Sequence, residues 1–217
     1  MACMRYLHRV SAIVLALGGP LAASAAVPSA QPRVDLDAAR ALVARVVPGH
    51  ARDFVLAAIP DSNGLDVFEV DHDARGIVLR GSSGVTIASA LEWYLENVAG
   101  VNVSLPLTPI RLAKLPAVAT KVRVATPYRR RYFFNYCTFS YSMAWWDWTQ
   151  WEPMIDWMAL QGINTPLAVT GQEAVWRLVL GDLGYTRQQR NDFLVGPAYL
   201  PWGWMGNIDG LGGPLPD

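Results

Sequence analysis

The sequence predicts an α/β protein in two parts. Over residues 34–105, helix-period and strand-period segments alternate with short, turn-rich joins. Prolines at 106, 109, 116 and 127 then punctuate a connector over residues 106–126. From residue 131 the texture becomes aromatic and reads strand, helix, strand, helix, the order of a right-handed parallel β/α layout. That layout fits a small sheet or the opening of a barrel.

In the first part, Asp35 or Asp37 can cap a helix whose apolar face is Ala39, Leu42, Val43 and Val46, and Pro48-Gly49 stops it. FVLAAI (54–59) reads as a short buried strand ended by a Pro/Asp/Ser/Asn/Gly turn. LDVFEV (65–70) and GIVLRG (76–81) form a hairpin around Asp71 to Arg75. Ser82 or Ser83 opens a second helix over 85–98, apolar at Ile87, Ala90, Leu91, Tyr94, Leu95 and Val98. VNVSL (101–105) is expected to close the unit as a strand. His50 and His72 show no ligand spacing and read as surface residues.

Composition bounds the rest. Hydrophobic residues make up 52% and charged residues 17%, a globular balance. Formal net charge is zero, which gives no bulk electrostatic case for nucleic acid or an anionic membrane. Arg129-Arg130-Arg131 is the one basic run, and without a wider basic face it reads as solvated linker charge. Residues 1–26 fit an export signal: basic Arg5, His8 and Arg9, an apolar run from Val10 to Ala22, and small residues at Ala23 to Ala26. The apolar run is too short for a membrane anchor, and Gly18-Gly19-Pro20 breaks a helix. Cleavage would take the formal charge from 0 to −2 and leave Cys137 as the one cysteine, so no internal disulfide is expected. The compartment is then periplasmic or extracellular, with no membrane partner after signal removal.

In the second part, RYFFNYCTFS (131–140) reads as a strand covered on both faces. Thr149 and Glu152 have capping-box spacing before a helix with Trp151, Met154, Ile155, Met158 and Ala159 on its apolar face. Pro153 is tolerable near that helix start, and Gly162 suits its left-handed stop. TPLAVTG (165–171) reads as a second short strand and QEAVWRLVLGDL (172–183) as a further helix. Eight of nine tryptophans lie between Trp145 and Trp204. Trp157 and Trp176 sit on apolar helix faces and read as packing. Trp145, Trp146 and Trp148 fall between a strand and a helix, where parallel α/β folds bind ligands, and aromatic rings there suit the C–H faces of sugars. Packing and sugar binding remain equal readings of that run.

Nucleophilic catalysis by a Cys–His or Ser–His pair lacks a base, because no histidine follows His72, and a zinc site meets the same shortage. No cofactor motif is present. Among carboxylates, Glu152 and Asp156 share a helix face that reads as solvated, and Gln172 or Glu173 stands at a strand end or caps the next helix. No convincing catalytic pair emerges.

RYFFNYCTFSYSMAWWDWTQWEPMIDWMALQGINTPLAVTGQEAVW (131–176), GPAYLPWGWMGN (196–207) and GGPLP (212–216) together resemble the α-N-acetylglucosaminidase family of glycoside hydrolases, family 89. RGSSGVTIASALEWYL (80–95) resembles that family's N-terminal domain. The resemblance implies a signal peptide over 1–26, a small N-terminal α/β domain over 27–120, and the first β/α units of a TIM (β/α)8 barrel, truncated, over 121–217. It implies a retaining exo-hydrolase acting on glycans with terminal α-linked N-acetylglucosamine, lysosomal in an animal. Both catalytic glutamates would lie beyond this chain, and the remainder of the barrel would be its structural partner. The sugar pocket would take Asn135, Cys137, Trp202 and Met205 from this chain, bordered by Tyr141, Gln172, Glu173 and Asn207. The alternative is a non-catalytic carbohydrate-binding protein or an inactive remnant.

Overall fold

The computed structural model describes residues 34–194, apart from the side chains of Tyr136, Ser140 and Tyr141, and all of these belong to one compact unit. The first helix, α1 (Leu36–Val46), starts where the Asp35 carboxylate accepts from the amides of Asp37 (3.0 Å) and Ala38 (2.9 Å). Asp37 in its first turn and Arg45 in its last match the helix dipole. The face with Ala39, Leu42, Val43 and Val46 is buried, as its spacing predicts.

A four-stranded sheet carries this helix. Its strands are β1 (Phe54–Ala58), β2 (Val67–Asp73), β3 (Gly76–Gly81) and β4 (Val122–Ala125), in the order β1-β3-β2-β4. β3 pairs parallel with β1 and antiparallel with β2. The second helix, α2 (Gly84–Asn97), opens with a Ser83–Thr86 capping box and lies on the same face of the sheet as α1. A side chain at Gly81 would meet the Ile87 amide at 2.6 Å, so glycine is what lets α2 leave the sheet this closely. Ile87, Ala90, Leu91, Tyr94 and Leu95 close the core with Val46, Val70 and Leu79. Tyr94 stands edge-on to Phe54 at 5.7 Å and donates its hydroxyl to the Pro116 carbonyl at 2.8 Å. Burial pushes that phenol up to about 12.

Two expectations fail here. VNVSL joins no ladder, although Val103 is buried. The fourth strand is β4 instead, within the stretch expected to be a connector, and it pairs antiparallel with β2. Its alternation is short and mostly exposed, so the hydrophobic period carries little signal. His50 is also more than a surface residue. Its Nδ1 lies 2.8 Å from Asp53 and its Nε2 3.0 Å from the Leu112 carbonyl. Two acceptors on one ring favour the imidazolium and raise its pKa, the Asp53 carboxylate most of all.

The second sheet is a parallel pair, β5 (Tyr132–Phe133) with β6 (Thr165–Pro166), Tyr132 opposite Thr165. Between them run α3 (Tyr136–Tyr141) and α4 (Trp148–Leu160), and after β6 come α5 (Gln172–Asp182) and α6 (Arg187–Phe193). Both strands are much shorter than the sequence predicts, and no closed barrel exists among the described residues. β5 stops because Phe134 turns left-handed (φ 75°) and Asn135 caps α3. The capping box of α4 is Asp147 with Gln150, two residues ahead of the expected Thr149 and Glu152, and Pro153 sits inside the helix. Gly162 ends it as expected, with φ 74° and the amides of Gly162 and Ile163 donating to the carbonyls of Ala159 (3.0 Å) and Met158 (2.9 Å).

Asp156 is buried, whereas Ile155, assigned to the apolar face, is 43% exposed. Arg45 of α1 explains the inversion. Its Nε and Nη2 donate to both Asp156 oxygens, at 2.6 and 2.7 Å, and Glu152 lies 3.7 Å away. The Glu152–Asp156 face therefore grips the first helix instead of facing solvent.

Asp156→Ala should cost about 2 kcal/mol in urea unfolding, because the stranded Arg45 keeps partial hydration. Gly162→Ala should cost ~1 kcal/mol or more in the same assay, since its left-handed φ disfavours a side chain and the Ser89 hydroxyl stands 3.1 Å from the new methyl.

Candidate functional site

The ends of β5 and β6 define one edge of the second sheet, and both strands run toward it. In parallel α/β folds this edge carries the ligand. Arg131 anchors the approach. Its Nη1 donates to the Tyr128 carbonyl at 2.8 Å, its Nη2 to Asp66 at 2.5 Å, and its Nε to the Gly162 carbonyl. Its amide donates to the Asn164 side chain at 2.8 Å. One residue thus ties the first sheet, the end of α4 and the start of β5. The charge reading of Arg129-Arg130-Arg131 missed this, because Asp66 is 65 positions distant and no local pattern announces it.

Phe134 follows β5 with a positive φ unusual for a bulky side chain. The ring is buried against Phe133 (4.5 Å), Phe139 (5.2 Å) and Trp151 (6.3 Å). Packing of that kind can hold a backbone conformation costing ~1 kcal/mol or more. The turn aims Asn135 out of the strand to cap α3, where its Oδ1 accepts from the Thr138 amide (3.0 Å) and hydroxyl (3.2 Å). Both bonds use Oδ1, leaving the Nδ2 amide to donate elsewhere. Cys137 is a half-buried free thiol in the first turn of α3. Tyr141 is the last residue of that helix.

Gln172 and Glu173 open α5, beyond β6. Neither caps it, because the N-cap is Gly171 at φ 82°. Gln172 donates back to the Ala168 carbonyl at 3.3 Å. The structure thus sets Asn135 and Cys137 after one strand and Gln172 and Glu173 after its parallel neighbour. Trp202, Met205 and Asn207 lie outside the described residues.

The tryptophan run divides. Trp151 stacks on Phe139 (5.8 Å, 26°) and meets Trp146 edge-on at 5.2 Å. Trp157 packs on Phe133 at 5.5 Å and touches both cores. Trp145 and Trp148 stay 78% and 63% exposed, so of the two readings of that run packing does not describe them. Trp176 is also 42% exposed, against its expected burial.

Asp147, Asp156 and Asp192 of the second part are held by structural partners. Asp147 caps α4, and hydrogen bonds from Thr149 hold its carboxyl below the usual range. Asp156 is taken by Arg45, and Asp192 accepts from Gln188 at 2.8 Å. No group of three metal-ligating side chains gathers among the described residues. No helix among them is long and apolar enough to cross a membrane.

The segment after β5 thus carries the Asn135 amide, the Cys137 thiol and the exposed indoles of Trp145 and Trp148. Residues 37–117 match the model of the α-N-acetylglucosaminidase (NAGLU) N-terminal domain, and residues 131–217 match that of its TIM-barrel domain. Human α-N-acetylglucosaminidase is 44% identical over 211 residues, covering 94% of this chain and 28% of that protein. A family 89 glycoside hydrolase from Clostridium perfringens, a double Glu-to-Gln variant holding its substrate GlcNAc-α-1,4-galactose, superposes with TM-score 0.75 at 38% identity. The same enzyme with 2-acetamido-1,2-dideoxynojirmycin gives 0.76 at 37%. Each alignment covers 83% of this chain and 21% of the bacterial one. The chain belongs to the α-N-acetylglucosaminidase family, as its N-terminal domain and part of its TIM barrel.

Asn135→Ala should destabilise α3 by ~1 kcal/mol, read as faster amide exchange at Thr138, whereas Asn135→Asp should keep the cap.

Proposed function

We propose that this chain forms the front of an exported retaining exo-glycosidase that releases terminal α-linked N-acetylglucosamine from glycans. The observation that carries this is the 44% identity to an enzyme of that name along almost the whole chain. The C. perfringens relative, bound to a GlcNAc-α-linked disaccharide, supports the same substrate class.

In this reading residues 1–26 direct export to the periplasm, the cell exterior or, in an animal cell, the lysosome. Residues 27–120 form the N-terminal domain and 121–217 the start of the barrel, with β4 lent across to the first sheet. Asn135 donates to the sugar's hydroxyl or acetamido oxygen, and Cys137 gives a small apolar wall. Trp202 and Met205 complete that wall, with Tyr141, Gln172, Glu173 and Asn207 bordering it.

Retention requires two carboxyl groups about 5 Å apart, one attacking the anomeric carbon and one protonating the leaving oxygen. In this reading both roles belong, as the family resemblance implies, to glutamates in the part of the relatives that this chain does not match. The Glu-to-Gln pair in the substrate-bound relative supports a two-glutamate mechanism. The exposure of Trp145 and Trp148 favours a second reading, a carbohydrate-binding surface without catalysis.

Activity on an aryl α-N-acetylglucosaminide decides between them. The natural gene product should hydrolyse it with retention, and the 217 residues alone should not. Turnover by the isolated chain, surviving repurification, would remove the assignment of catalysis to other residues. Binding without turnover by the natural gene product would favour the second reading.

A further inference from the structure

We propose that Trp145 and Trp148 form a stacking platform for the leaving part of the glycan, the sugar residues beyond the terminal N-acetylglucosamine. The proposal rests on the glycosidase reading above and fills a place that reading leaves open: an exo-hydrolase of glycans must also hold the portion it releases.

The fold puts both indoles at the edge that carries the candidate site. α4 ends at the start of β5, where the Gly162 carbonyl accepts from Arg131 and the Asn164 amide donates to the Arg131 carbonyl at 3.2 Å. Its 13 residues therefore begin at the opposite edge, where the parallel strands β5 and β6 end. Trp148 is the first residue of α4, and Trp145 stands three positions before it. Ring contacts tie the segment to the pocket. Phe134, next to Asn135, meets Trp151 edge-on at 6.3 Å, and Trp151 meets Trp146 edge-on at 5.2 Å. Asn135 and Trp145 are thus chain neighbours of two rings that share one partner.

The surface of the segment has the chemistry of sugar recognition. Trp146 and Trp151 turn into the second core, whereas Trp145 and Trp148 keep most of their surface in water. A pyranose ring offers a C–H face to an indole and hydroxyls at its rim. Polar groups for those hydroxyls flank the indoles: Asp147, Thr149 and Gln150 are all exposed. The Asp147 Oδ1 accepts from the Thr149 amide (2.7 Å) and hydroxyl (2.6 Å), and a carboxylate has acceptor capacity beyond these two bonds. The Gln150 Oε1 accepts from the Asp147 amide at 3.0 Å, which leaves its Nε2 group to donate. The same bonds fix the backbone on both sides of Trp148, so docking a ligand orders little that is not already ordered. A protein-docking face would be depleted of charge at its centre, whereas here a carboxylate and an amide separate and flank the two rings.

Steady-state kinetics of the natural gene product test the platform. The substrates are a tetrasaccharide ending in α-linked N-acetylglucosamine and the α-fluoride of N-acetylglucosamine, which has no further sugar to place. Wild type should hydrolyse both. Trp145→Ala and Trp148→Ala should each raise KM for the tetrasaccharide roughly 5–10-fold, with kcat kept. Both should leave kcat/KM for the fluoride and the Tm unchanged. Trp148→Phe should recover most of the lost affinity, since a phenyl face still stacks. Wild-type constants for the alanine variants on the tetrasaccharide would overturn the platform and leave the glycosidase reading standing, as would an equal loss on both substrates. A clear fall in Tm would also overturn it, by showing the indoles packed against another part of the protein. Hydrolysis of neither substrate by wild type would remove the glycosidase reading and the platform with it.

Discussion

The grip of Arg45 on Asp156 is the interaction on which the arrangement of the two halves depends. A carboxylate with a side chain only 6% exposed is costly to bury unless both oxygens are paired. Arg45 meets both with the planar fork that a lysine lacks. The consequence is rotational: α4 must turn Asp156 toward α1. That rotation leaves Ile155 to solvent and sends Met154 and Met158 into the second core. The same setting brings the end of α4 against α2 and under the guanidinium of Arg131. Two sets of chain-distant polar contacts, from Arg45 to Asp156 and from Arg131 to Asp66 and Gly162, thus fix the seam between two apolar cores.

The candidate site inherits its position from that seam. Arg131 sets where β5 begins, Phe134 ends it after two residues, and Asn135 starts the helix bearing Cys137. No step in this series is an apolar-periodicity effect. Each is a hydrogen bond or a turn enforced by the aromatic cluster around Phe134 and Trp151. The buried Nε1 groups of Trp151 and Trp157 find no acceptor among the described residues. The cluster therefore favours shape over polar satisfaction, which suits a scaffold that must hold a strained turn.

Legibility in the sequence followed the range of the interaction. Helices α1 and α2 were readable because caps and buried faces lie within one element, as Asp35, Ser83 and the Ile87–Leu95 face show. The β2–β3 hairpin was readable for the same reason. Strand β4 was not, because its pairing with β2 joins residues more than fifty positions apart and its side chains are mostly exposed. The long strand expected over 131–140 failed because aromatic, β-prone residues served a turn and a helix, and tertiary packing overrode propensity. Asp156 was misread because its partner lies 111 positions upstream. The candidate site rests on motif order alone, since Asn135, Cys137 and Gln172 carry no spacing rule that would single them out.

The central claim is that Asn135 and Cys137 face a terminal α-linked N-acetylglucosamine beyond the end of β5. A structure of the natural gene product with a non-hydrolysed α-N-acetylglucosaminide tests it most directly. The account predicts the Asn135 amide within hydrogen-bond distance of the sugar and the Cys137 sulfur in van der Waals contact with it. Sugar bound away from the β5–β6 edge, with both side chains untouched, would contradict it.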